Sequence, residues 1–167
     1  FLPSDNTYQA VVNVTGKLNL DITYLRNTLN YNINDEYSLV WLLGYEDMER
    51  SSAQDSEVGL DPWDGATYFL DGTGAESFST ELQIQSDEYG DFIWIAGINY
   101  FHERTKTLGY YDNPMDDKAF WDQPDRSTDA LSLFGQGTYN LTEKLHLTLG
   151  YRFSDETKED KGGKTYR

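Results

Sequence analysis

Three kinds of side chain in this sequence could bind a ligand or do chemistry: carboxylates, aromatic rings and two histidines. Asp and Glu number 29 against 13 Lys and Arg, a formal charge of −16, and 15% of residues are aromatic. The two kinds are interleaved in two stretches. Residues 51–77 carry Trp63, Tyr68 and Phe69 among six carboxylates (Asp55, Glu57, Asp61, Asp64, Asp71, Glu76) and no base. Residues 108–126 carry Tyr110, Tyr111 and Trp121 among Asp112, Asp116, Asp117, Asp122 and Asp125, with Lys118 and Arg126. Rings offer flat apolar area with a polar tip, and carboxylates add charge selection, so Trp63, Tyr68, Phe69, Tyr110, Tyr111 and Trp121 form a candidate ligand-capturing set. The plainer reading is a solvated acidic loop whose Asp and Gly residues make turns.

Other chemistry finds less support. His102 and His146 lie far apart with no cysteine to join them, and a zinc site needs three or four convergent ligands. Asp61, Asp64 and Asp71 could offer oxygens to calcium, but their spacing does not fit an EF-hand loop and turn formation accounts for them. No serine sits in a Gly-x-Ser-x-Gly elbow. Gly135-Gln136-Gly137 has no following helix, so it is not a phosphate loop. Carboxylate pairs arise by chance in so acidic a chain. We therefore expect no catalytic residue, no metal and no cofactor. The strong negative charge excludes nucleic acid as a partner, since that surface must be basic.

The elements that position these groups read as strands. Phe78-Ser-Thr-Glu-Leu-Gln-Ile-Gln-Ser86 alternates with period two, the signature of a half-buried strand. Similar runs predict six strands, at about 21–33, 37–49, 78–86, 92–105, 128–139 and 144–155. The connections alternate between short turns (Asn34-Asp35-Glu36, Asp87–Asp91, Asn140–Glu143) and long loops at 51–77 and 108–126. Pro114 and Pro124 argue against a central strand in the second long loop. No run of 18 apolar residues exists, so no transmembrane helix is expected; a barrel strand needs only 9–11 residues with every second one apolar. The opening Phe1-Leu2-Pro3-Ser4-Asp5 lacks the basic start and apolar core of a signal peptide, and the chain reads as an internal or processed piece of something longer.

Five of these segments, in order, resemble the β-barrel of TonB-dependent outer-membrane receptors. They are Val40-Trp-Leu-Leu-Gly-Tyr45, the Phe78–Ser86 strand, Trp94-Ile-Ala-Gly-Ile-Asn-Tyr-Phe101, Leu133-Phe-Gly-Gln-Gly-Thr-Tyr139 and Leu145-His-Leu-Thr-Leu-Gly-Tyr-Arg-Phe153. The resemblance covers roughly residues 20–155. It implies an all-β, antiparallel up-and-down meander of about six strands, a fragment of a transmembrane β-barrel in the bacterial outer membrane. That family has 22 strands around an N-terminal plug domain and imports scarce solutes such as iron-siderophore complexes with energy passed by TonB. The implied partners are outer-membrane lipid, the rest of the barrel and its plug, TonB through a part missing here, and a small-molecule solute. No enzyme activity is implied.

On that reading the apolar faces meet lipid. Trp41, Tyr45, Trp94, Tyr100, Tyr139, Tyr151 and Phe153 belong to aromatic girdles, and Glu81, Gln83, Gln85, Gln136 and Arg152 face the lumen. Ile93 and Ile95 also point inward, which packing against a plug or burial in a sandwich would each explain. Two open edges predict that six strands alone do not remain a soluble monomer. A different class stays open on the residues alone: a soluble secreted all-β binding module with acidic aromatic loops for carbohydrate or calcium. It differs in burying Leu131, Leu133, Leu145, Leu147 and Leu149 against a second sheet.

Overall fold

The structure, a computed structural model, describes residues 15–55, 68–86, 91–112 and 119–166. They form one sheet of six strands: β1 (Lys17–Asn32), β2 (Tyr37–Asp55), β3 (Tyr68–Ser86), β4 (Phe92–Asp112), β5 (Ala119–Thr142) and β6 (Leu145–Tyr166). Spatial order equals chain order and every pair is antiparallel. This is an open up-and-down meander.

The turns follow local chemistry. Asn34 closes the first: its Oδ1 accepts from the backbone N–H of Glu36 and Tyr37, each at 2.9 Å, the Asx arrangement that short polar side chains favour. The last turn is tighter than the four residues Asn140–Glu143 suggest. β5 continues to Thr142 and β6 starts at Leu145, because Thr142 Oγ1 accepts from the N–H of Lys144 and Leu145 at 3.2 and 3.0 Å. The expected turn at Asp87–Asp91 falls largely outside the described residues.

The strands run well past their expected outer ends. β2 continues to Asp55, β3 begins at Tyr68, β4 reaches Asp112, β5 begins at Ala119 and β6 reaches Tyr166. Much of what reads as loop in 51–77 and 108–126 is therefore ladder. Alternation vanishes there because neither face is apolar, while backbone pairing continues regardless of side chain. Pro124 lies inside β5, contrary to expectation. Thr105 pairs with Arg126 but Thr107 with Gln123, and on the other side Asp122 pairs with Gly163 but Asp125 with Lys161. The proline thus sits on a bulge where no ladder bond is asked of it, one of the few places a sheet accepts it. The bulge also resets the alternation, so beyond it odd residues of β5 share the face held by even ones before it. Gly162 sits opposite with φ 158°, and a Cβ there would collide with the Asp122 carbonyl oxygen and lie 2.8 Å from Gln123 Cα.

Register sorts the side chains into two faces. Leu29, Trp41, Leu82, Ile98, Leu133 and Phe153 are mutual partners in one row across all six strands. Neighbouring rows add Leu39, Ile84, Ala96 and Tyr151, then Leu43, Tyr100 and Leu131. This is the apolar face. The opposite face is the more polar one from β3 to β6, with Gln83 and Gln85 of β3, Asn99 of β4, Ser132 and Gln136 of β5, and Arg152 of β6, but it also carries Leu18, Leu20, Ile22 and Tyr24 of β1, Val40 and Leu42 of β2, and Phe101 and Phe134 of β4 and β5. In β2 the polar-face residues Leu42, Gly44, Glu46, Met48 and Arg50 are half-buried, whereas Trp41, Tyr45, Asp47 and Glu49 are exposed. Side chains crowd on the inside of a curved sheet, so the polar face is the concave one.

The expected sandwich alternative fails on burial. Leu131, Leu133, Leu145, Leu147 and Leu149 are 48–71% exposed. Val40 is the buried hydrophobic residue among those described, at 9%. No second sheet covers the apolar face among the described residues.

Candidate functional site

The apolar face ends outward in a ring-bearing edge, then turns charged. Tyr45 pairs with Phe78 in one row, Tyr100 lies one row further in, and Phe153 one row further still. The edge thus slips about four residues, roughly 13 Å, over four strand spacings of about 4.8 Å each. That corresponds to strands tilted by about 35°, within the range of membrane barrels. Trp41 lies midway along the apolar part of β2 instead of at an edge, and Thr80 Oγ1 accepts from its Nε1–H at 2.9 Å. A buried or lipid-facing indole N–H needs such a partner.

One construction recurs at the outer edge. Tyr45 O–H donates to Glu76 Oε1 at 3.2 Å, and Tyr100 O–H to Asp129 Oδ1 at 2.8 Å. In each case the carboxylate lies on the next strand, two residues beyond the tyrosine's own partner (Phe78 and Leu131). His102 Nδ1 also approaches Asp129 Oδ1 at 2.8 Å. The bond from His102, then that from Tyr100, holds the Asp129 carboxyl below its ordinary value. Sequence spacing cannot show these diagonals, because they depend on inter-strand register.

Five of the six expected ligand-capturing aromatics lie on the outer ends of β3, β4 and β5. Tyr68 pairs with Asp112, Phe69 with Tyr111, Tyr111 with Ala119, Tyr110 with Phe120 and Trp121 with Gly109. Trp63 lies outside the described residues. The Tyr110 and Phe120 rings are 4.7 Å apart at 47°, so Phe120 belongs with the group although alternation did not single it out. Register thus joins two separate sequence stretches in one ladder and sets Tyr110 against Phe120 across it.

The residues expected to face inward lie on the polar face. Glu81, Gln83 and Gln85 are half-buried, and Gln136 is exposed. Gln83 Nε2 donates to Glu81 Oε1. The Arg152 guanidinium sits 5.8 Å from the Phe134 ring centroid, a cation–π distance. Ile93 and Ile95 share this face and, with Gln85, Gln136 and Thr138, border a depression of about 220 Å³.

Further out on the polar face, Asp71 holds the long β2–β3 hairpin together. Arg50 Nη1 lies 2.7 Å from Asp71 Oδ2, and Ser52 Oγ donates to Oδ1. Partial burial by itself raises the Asp71 carboxyl, but the bonds from Ser52 and Arg50 outweigh it and bring the group below its ordinary 3.8. A lowered carboxyl value means this contribution is complete above the unfolded-state value and is lost as pH falls through the folded one. Amide exchange of residues 50–53 and 70–73 is expected to stay slow at pH 5 and to accelerate selectively as pH drops below about 4. Arg50→Gln should shrink that dependence; an unchanged profile in the variant would show that the pair does not hold the hairpin. Among the described residues no group of three or more His, Asp or Glu is arranged to hold a metal ion.

This geometry can be set against known proteins. No curated protein matches the sequence. Among solved structures, the ferric yersiniabactin uptake receptor FyuA from Yersinia pestis superposes with a TM-score of 0.64 at 14% identity, over 89% of this chain. The chain spans 25% of that receptor's length. At that identity the likeness speaks for the fold: an open six-stranded piece with the course of a receptor barrel wall. The family model described as "TonB dependent receptor-like, beta-barrel" matches residues 2–167. A two-faced meander, a tilted aromatic edge and a match over nearly the whole chain lead to one assignment: the chain belongs to the TonB-dependent receptor β-barrel family.

Proposed function

We propose that these six strands are part of the wall of an outer-membrane TonB-dependent receptor that takes up a scarce solute such as an iron-siderophore complex. The observation that carries this reading is the segregation of faces. Every member of the row Leu29–Trp41–Leu82–Ile98–Leu133–Phe153 is apolar, while the concave face holds Glu81, Gln83, Gln85, Gln136 and Arg152. Hydrocarbon outside and a polar, plug-filled lumen inside demand that pattern of a barrel. The receptor named above takes up ferric yersiniabactin, and its likeness in fold supports an iron chelate as the cargo here. The plug, the remaining strands and TonB are the partners this reading requires. The long strands carry an outer aromatic strip of the wall, with positions on both faces (Tyr68, Phe69, Tyr110, Tyr111, Phe120 and Trp121), beyond the membrane, where it meets the solute first; Trp63 is a further candidate.

Quenching of tryptophan fluorescence in the assembled barrel, titrated with a panel of ferric hydroxamates, catecholates and phenolates, tests the proposal. One class should bind in the micromolar range or tighter. A combined Tyr110→Ala, Phe120→Ala and Trp121→Ala variant should weaken it by about 30-fold or more, since each lost ring contact is worth ~0.5–1.5 kcal/mol. Equal binding by variant and parent would remove the strip from the site. Absence of binding to any ferric chelate would direct the search to non-iron solutes.

A further inference from the structure

Strand β1 contains an inversion that the uptake reading does not use. Its inner half follows the faces of the sheet. Leu25, Leu29 and Tyr31 lie on the convex apolar face, and Arg26, Thr28 and Asn30 on the concave one. In its outer half the pattern is reversed. Lys17, Asn19, Asp21 and Thr23 are convex there, while Leu18, Leu20, Ile22 and Tyr24 are concave. No bulge causes this, because β1 pairs with β2 without a break from Lys17 to Asn32. The change falls at the row Leu25–Tyr45–Phe78–His102, the outer limit of the apolar band. Leaving the membrane explains why the convex face turns polar. It does not explain why the concave face of β1 turns apolar.

Water on both faces would give nothing to select those side chains, yet they follow one another on one face and are 48–65% exposed. The stripe is a single file. Its partners on β2 are Ser52, Arg50, Met48 and Glu46, and the same rows reach Asp71, Thr73, Ala75 and Ser77 on β3. From Leu18 to Tyr24 it is about 20 Å long. A folded domain packs against several strands at once, whereas a single file of apolar side chains fits an extended chain. The charges beside it are few. Arg50 is engaged by Asp71 at 2.7 Å. At the inner end Arg26 places its Cζ 5.5 Å from the Tyr24 ring centroid, a cation–π distance. Its strand partner is Gly44, where a Cβ would lie 2.6 Å from Ser79 Oγ, so the floor beside the guanidinium is low. Glu46 stands opposite Tyr24. Among the described residues neither Arg26 nor Glu46 is in an ion pair. The next carboxylates on this face are Glu81 of β3 and Glu103 of β4.

We infer that this inner stripe of β1 holds the acyl chain of an acylated, peptide-like solute. Carbonyl or hydroxamate oxygens of its head accept N–H bonds from Arg26, and an N–H or O–H of the head donates to Glu46. An apolar chain alone would leave both charges unmet, and a simple anion would face Glu46. A membrane lipid does not fit, because the stripe lies on the concave side, away from hydrocarbon. The inference rests on the reading of that side as the path of the solute, and it narrows the class of cargo to an iron chelate with a fatty tail.

The test titrates the complete receptor, held in amphipol so that no micelle competes for the probe, with ferrioxamine capped at its amine by a hexanoyl or an acetyl group. The two probes share one head, so the difference in calorimetric Kd reads the chain alone. The hexanoyl probe is expected to bind about ten-fold tighter, the effect of burying about two additional methylenes. Leu20→Ser combined with Ile22→Ser should weaken the hexanoyl probe only and bring the two within about two-fold of each other. Arg26→Gln should weaken both about five-fold and keep their ratio, since it removes a charged donor to the shared head. Asp21→Asn, on the opposite face of the same strand, should change neither. Heat-modified gel mobility checks assembly, and Leu18→Ser serves where the double variant does not assemble. Equal Kd values for the two probes, or a preference that survives the loss of Leu20 and Ile22, overturns the inference and leaves the uptake reading standing. Hexanoyl-dependent binding that is the same with and without iron upholds the stripe and overturns the iron-chelate reading. Binding of neither probe overturns the inference, while the panel of ferric chelates above still decides the uptake reading.

Discussion

Leu82→Arg is expected to cost the assembled barrel about 2–4 kcal/mol, the depth-dependent penalty for a cation on the lipid face of a membrane barrel. Leu82 lies at the centre of the six-member apolar row, between Trp41 and Ile98, and its side chain is 41% exposed. In water such exposure would make the substitution mild, since surface changes stay within about ±0.5 kcal/mol. The penalty arises only if hydrocarbon lies against the face. The neighbouring Gln83 points to the polar side, so Gln83→Arg is the matched control and should stay within about 0.5 kcal/mol. Guanidinium unfolding in lipid vesicles, followed by tryptophan emission, measures both. Equal effects for the two substitutions would remove the lipid from the apolar face.

Gly97→Val is the second large effect. Gly97 pairs with Phe134 on the concave face, and Phe134 in turn carries Arg152. A Cβ at Gly97 would lie 2.6 Å from Phe134 Cζ and 2.8 Å from the Leu82 carbonyl oxygen. The ring can swing away, at the cost of its contact with Arg152. The carbonyl cannot, because Leu82 belongs to the next strand's ladder. Overpacking of this kind costs about 1–3 kcal/mol. Adding Phe134→Ala to Gly97→Val should restore only part of the loss, since the backbone approach remains. The same unfolding assay decides: a loss within a few tenths of a kcal/mol would show that the β3–β4 approach relaxes freely.

How much of this was legible in the chain varies by element. The inner strand segments were readable because one face had to be apolar, and period two survives wherever burial or lipid selects alternate residues. Phe78–Ser86 shows this most plainly. Residues 51–55, 68–77, 108–112 and 119–126 read as loop because water on both faces removes the alternation while the ladder continues. Pro124 misled for a related reason: its rule applies to paired positions, and the bulge between Asp122 and Asp125 takes it out of the ladder. The aromatic composition of the candidate capture strip was visible, but Phe120 was missed because it joins Tyr110 across strands.

Alternation, turn residues and ring placement determined an all-β meander with one apolar face, since those are local consequences of strand geometry and of the medium each face meets. The amino-acid order could not decide which residues become neighbours across strands. Register decided that: it set Glu76 on Tyr45, and Asp129 on Tyr100 and His102. The side-chain contacts join residues 27 to 31 positions apart, and a slip of one residue in pairing would send every partner to the opposite face.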